Sequence, residues 1–88
     1  MKIKLTVTDT KKPMKFQTRQ GNLTSFDSDP ATDYSHVTFG FEDATPVSII
    51  FSIPDMPVIL QLKDDFLKGK IGGTYKINTS EITIVKVN

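Results

Sequence analysis

Apolar residues recur at every second position over much of this chain, a period that admits β-strands and little else. Ile3, Leu5 and Val7 alternate with Lys2, Lys4, Thr6 and Thr8, which is the pattern of a strand with one buried and one wet face. Met14, Phe16 and Thr18 fall on one side of a second short strand, Met14 to Arg19, leaving Lys15 and Arg19 on its polar side. His36 to Glu42 repeats the alternation with Val37, Phe39 and Phe41, and Glu42 to Thr45 reads as a tight hairpin connection. Val47 to Ile53 is apolar on both faces and rich in β-branched residues, as a central strand would be. Pro54 and Pro57 frame a bend, Val58 to Leu62 reads as a further strand, and Thr74 to Ile77 with Glu81 to Val87 form a closing hairpin.

Two stretches break the pattern. Lys63 to Gly69 is the single helical candidate, with Asp64 as its cap, Phe66 and Leu67 facing inward, Lys68 four residues from Asp64, and Gly69, Gly72 and Gly73 as its stop. Gly21 to Ser35 is a run of Ser, Asp, Asn, Thr and Pro and reads as a loop, long for a small domain and therefore a candidate for function.

These elements predict one all-β domain over residues 1–88. It would be a small OB-like or SH3-like barrel of about six or seven short strands with at most one short helix, because closure removes exposed strand edges. A small sandwich satisfies the same pattern. The chain has no cysteine, which excludes disulfides and thiolate metal sites. Its longest apolar stretch, Val47 to Ile53, is far short of the roughly 20 residues needed to cross a bilayer. The first residues lack the apolar core of a secretory leader. The expectation is a cytoplasmic protein with no membrane partner.

Charge is segregated. Residues 1–20 carry a net +5, residues 21–65 a net −7 and residues 66–88 a net +3, which the overall +1 conceals. The basic block points to an anionic partner. Lys2, Lys4, Lys11, Lys12, Lys15 and Arg19 would neutralise phosphates, and Phe16, Phe26 or Tyr34 would supply faces on which bases stack. That combination holds single-stranded nucleic acid without reading its sequence. Lysines on strands also serve as ordinary edge protection.

Catalysis has little to build on. The chain has one histidine, His36, and no nucleophile elbow or Walker loop. The glycine-rich stretch Gly69 to Gly73 follows the helical candidate, whereas a phosphate cradle must open a helix. Asp27, Asp29 and Asp33 cluster hard oxygens, but Pro30 interrupts the spacing and no glycine turn with a distal glutamate completes a calcium loop. The expectation is a non-enzymatic protein without a cofactor or metal. A second reading makes the acidic segment the working part, docking a protein partner as a phage- or plasmid-type accessory module. Either reading allows a homodimer through an open sheet edge.

Lys15-Phe-Gln-Thr-Arg-Gln-Gly21, then Thr45-Pro-Val47 with Ser52-Ile53, then Gly73-Thr-Tyr-Lys-Ile77 occur in an order that resembles the small single-stranded DNA-binding proteins of filamentous phages, the gene V type. The resemblance implies an OB-like, dimeric, all-β protein. It would make Arg19 a backbone-contacting residue and put Phe26 where a stacking aromatic stands. The departure lies in the binding wing, which in that family is basic and contains tyrosine. Here the corresponding segment, Asn22 to Ser35, is acidic.

Overall fold

The computed structural model describes residues 1–30 and 35–87, with side chains for all of these except 12–16, 29 and 30. The strands are β1 (Lys2–Asp9), β2 (Lys12–Pro30), β3 (Ser35–Phe41), β4 (Val47–Phe51), β5 (Gly73–Ile77) and β6 (Ser80–Lys86), with one helix, α1 (Met56–Leu67), entered through a short 3-10 turn, Ile53–Asp55. All strand pairs are antiparallel, and the order across the sheet is β4-β3-β2-β1-β6-β5. The protein is thus mostly β, as the alternation predicts. The sheet is open: β4 and β5 approach with Cα atoms within 8 Å, yet no ladder joins them.

β2 holds the fold together. Its first part pairs with β1 from Lys12 to Asn22, and its second part pairs with β3 from Leu23 to Pro30, with an irregularity between Leu23 and Ser25. The changeover is crowded. A Cβ on Gly21 would lie 2.5 Å from Asp43 Oδ1 and 3.3 Å from the Phe41 ring, so any larger residue would have to displace the Asp43 carboxylate. The Asn22 N–H donates to that same Asp43 Oδ1 at 2.9 Å, and the Asn22 side chain donates to Glu42 Oε2 at 2.8 Å. The expected loop over residues 21–35 is therefore β-strand as far as Pro30, and residues 31–34, including Asp33 and Tyr34, lie outside the described residues.

The second correction concerns the helix. Val58 to Leu62 is not a strand, and the helix does not begin at Lys63. It runs Met56–Leu67, with Pro57 in its first turn, where a missing N–H costs nothing. Ile59 and Leu62 are fully buried and Phe66 is half-buried against the core, whereas Leu67 faces solvent. Asp64 caps nothing; it sits mid-helix and pairs with Lys68 at 2.9 Å on the exposed side. Gly69 does end the helix: at φ 68° it is the left-handed residue of a Schellman stop, with Gly69 N–H on the Phe66 carbonyl and Lys70 N–H on the Asp65 carbonyl.

The third correction is β4, an edge strand and not a central one. Val47, Ile49 and Phe51 are buried and Ser48 and Ile50 exposed, because the sheet has a covered face only on one side there. The core gathers residues from every strand and from the helix, among them Ile3, Leu5, Phe26, Phe39, Ile59, Leu62, Ile71 and Ile84.

Two polar clamps dock the helix. The Tyr75 hydroxyl lies 2.9 Å from both Asp65 Oδ2 and the Gly72 carbonyl, while Gln61 holds the other oxygen of Asp65 at 2.8 Å. Desolvation first, and the neighbouring Asp65 carboxylate as well, raise the Tyr75 pKa, against the hydrogen bonding with Gly72. Tyr75→Phe should cost about 1 kcal/mol in denaturant unfolding near neutral pH. The raised pKa favours the fold below the ordinary tyrosine range, and this contribution fades as pH climbs through the folded-state value.

At the other end, Asp55 accepts the Ser52 N–H at 2.9 Å, the Ser52 hydroxyl at 3.0 Å and, from the β5–β6 turn, the Asn78 N–H at 3.0 Å. Desolvation pushes its carboxyl up, but these hydrogen bonds outweigh it and leave the pKa lowered. Asp55→Ala should cost about 1–2 kcal/mol. The wild type should lose its advantage over the variant as pH falls below the usual aspartate range and through the depressed folded-state value, which acid titration of both unfolding midpoints would reveal.

Candidate nucleic-acid interface

Register decides which side chains share a face. On β1, Ile3 and Leu5 are buried and Lys2 and Lys4 exposed, so the lysines mark the outer face. The ladders then carry this face across four strands. Lys2 lies opposite Asn22, and Lys4 lies between Gln20 and Val85. Thr6 lies between Thr18 and Thr83, and Thr83 opposes Thr74, so four threonines line up across β2, β1, β6 and β5. Thr8 is opposite Glu81, which opposes Lys76.

The outer face is therefore hydroxyl-rich, with three lysines and two carboxylates among the described residues, Glu81 opposite Lys76 and Asp27 in the second part of β2. Adjacent strands are about 4.8 Å apart, so the threonine row spans roughly 14 Å. Cross-strand threonine pairs stabilise a sheet by a few tenths of a kcal/mol each, which accounts for part of this pattern without any ligand. Lys76 opposite Glu81 is likewise an opposite-charge cross-strand pair, so what sheet stability leaves unexplained is the pair Lys2 and Lys4, two positions apart on β1 to one side of the row. Ammonium groups and hydroxyl donors are both groups that bind phosphate and sugar oxygens.

The residues expected to bind divide into five groups, the last being Arg19 with Phe26. Lys2 and Lys4 stand together on the outer face. Lys11 is exposed in the β1–β2 turn, where its N–H closes an Asx turn onto Asp9 Oδ1 at 2.9 Å. The backbones of Lys12, Lys15 and Phe16 lie in β2, Phe16 opposite Thr8, and their side chains lie outside the described set. Tyr34 lies outside it altogether.

Arg19 and Phe26 are corrections. Arg19 is opposite Leu5, on the core side of the sheet, and its Nε donates to the Thr45 carbonyl at 3.1 Å. It ties β2 to the β3–β4 connection and does not share a face with Lys4. Phe26 is 6 % exposed, packed edge-on to Phe39 with ring centroids 5.2 Å apart and tilted against Phe66. It cannot stack on a base without leaving the core. Lys76 and the threonine row have little signal in the sequence, because their sharing a face with Lys4 comes from register between strands far apart in the chain; only Thr6 and Thr8 show one, in the alternation of β1.

The acidic segment is also rearranged. Asp27 is exposed on β2 opposite Thr38, and Asp29 lies opposite His36 in the ladder. Among the described residues no group of three or more histidines and acids is placed to hold a metal ion. No helix is long and apolar enough to cross a membrane. Comparison of the chain with family models, curated proteins and solved structures gave no match.

Proposed function

We propose that this protein binds nucleic acid through the outer face of β2-β1-β6-β5, without sequence specificity and single-stranded by preference. The carrying observation is an in-register row of four threonines with Lys2 and Lys4 to one side of it and Lys76 to the other, Glu81 and Asp27 being the acids of this face among the described residues. Ammonium groups would neutralise phosphates, and the hydroxyls of Thr6, Thr18, Thr74 and Thr83 with the amide of Gln20 would bond backbone oxygens. Such contacts are blind to base identity. The preference for single strands follows from shape: groove readers insert a helix or ribbon, and this face is a sheet surface that offers neither. No catalytic step is assigned to any residue.

Fluorescence anisotropy of a labelled oligothymidylate, titrated with protein at several salt concentrations, tests this reading. Binding should weaken steeply with salt, as phosphate neutralisation requires. Absence of binding at low salt rejects it.

A further inference from the structure

We infer that the outer face of β2-β1-β6-β5 selects ribose over deoxyribose, so that its ligand is single-stranded RNA; this rests on the nucleic-acid reading above. Lys2 and Lys4 stand two positions apart on β1, about 6.8 Å, close to the step between successive phosphates of an extended strand. The next outer position along β1 is Thr6, flanked by Thr18 of β2 on one side and Thr83 of β6 on the other. A strand laid along β1 with its phosphates on Lys2 and Lys4 therefore brings a sugar over these three threonines.

Their hydroxyls are open to a ligand. Among the described residues, those of Thr6, Thr18 and Thr83 hydrogen-bond to no protein group, and no bond joins one to the next. Elsewhere the threonine hydroxyl is taken up: Thr10 donates to the Thr79 carbonyl at 2.7 Å, Thr24 to the Gly40 carbonyl at 3.3 Å, and Thr38 pairs with the Ser48 hydroxyl at 3.0 Å. A phosphate oxygen only accepts, and the lysines serve it as pure donors. A hydroxyl donates and accepts at once. Its match on a nucleic-acid backbone is the ribose 2′-hydroxyl, which also does both and which DNA lacks. In deoxyribose a methylene would take that place and leave the threonines nothing to bond there.

Anisotropy titrations of labelled oligouridylate and oligodeoxyuridylate of equal length, which differ only at the 2′ position, test the inference at low salt and across a salt series. Oligouridylate should bind tighter by about threefold or more, the worth of one or two ordinary hydrogen bonds. The salt slopes should match, because the phosphates are alike. A Thr6→Val/Thr83→Val variant keeps the β-branched shape that strands favour; it should bring the two affinities together and leave the salt slope unchanged. Thr38→Val, whose hydroxyl is already used within the protein, should keep the difference. Wild-type affinities that are equal, or tighter for oligodeoxyuridylate, overturn the inference while the nucleic-acid reading stands. Absence of binding to either at low salt overturns both. A ribose preference that survives in Thr6→Val/Thr83→Val, or that Thr38→Val abolishes as well, also overturns it.

Discussion

Phe26→Ala is expected to lower the unfolding free energy by about 3–5 kcal/mol, the range for removing a fully packed aromatic side chain. For a domain of 88 residues the whole stability should be about 4–13 kcal/mol. The substitution would therefore consume a large share of it and could leave a fraction of the chain unfolded at room temperature. The cost follows from position. Phe26 comes from the second half of β2, meets Phe39 of β3 edge to face and touches Phe66 of α1, so it joins sheet to helix. Removing the ring forfeits its transfer free energy and both aromatic contacts, and leaves a cavity between elements that cannot easily close. Phe26→Leu keeps most of the apolar volume and should cost much less. Urea unfolding followed by circular dichroism measures both. A stable Phe26→Ala protein that has lost only its affinity for oligonucleotide would mean that the ring works on the surface.

Replacing Lys2, Lys4 and Lys76 together by glutamine should leave stability nearly unchanged, because exposed strand positions tolerate such changes within about 0.5 kcal/mol each. Its effect should fall on binding. If each lysine neutralises one phosphate of a single strand, the slope of log affinity against log salt should become shallower by about 2, since each contact contributes about 0.7. Affinity at low salt should drop at least tenfold. Lys86→Gln is the matching control, because Lys86 lies opposite Ile3 on the other face, with its Nζ on the Gly69 carbonyl at 2.8 Å. It removes one positive charge from the molecule and none from the proposed surface. A loss from Lys86→Gln equal to one third of the triple variant's loss in log affinity would mean that net charge alone, and not this face, draws the oligonucleotide.

The helix and β2 depart from what local pattern predicts. Val58 to Leu62 is a short apolar run, which period alone cannot assign to strand or helix. Pro57 beside Pro54 suggests a bend, although proline also opens helices. In β2, Leu23 and Phe26 both point into the core at a spacing of three, which no regular strand allows. The irregularity between Leu23 and Ser25 inserts the extra residue and resets the alternation. A polar segment whose period slips in the middle looks like a loop until its partner strand is known.

Local alternation was enough to determine the β character of the chain, the burial of Ile3 and Leu5, the exposure of Lys2 and Lys4, the closing hairpin and the glycine stop at Gly69. Each of these depends on residues within a few positions of one another, where side-chain direction follows directly from the backbone period. Tertiary structure alone decided the open sheet, the edge position of β4, the core side for Arg19 and the company of Lys4. Thr6, Thr18, Thr74 and Thr83 meet because three separate ladders hold a common register. A slip of one residue in any ladder would send that strand's side chains to the opposite face. Register is set by the packing of the whole core and by the crowded passage of β2 at Gly21, neither of which a single strand's sequence contains.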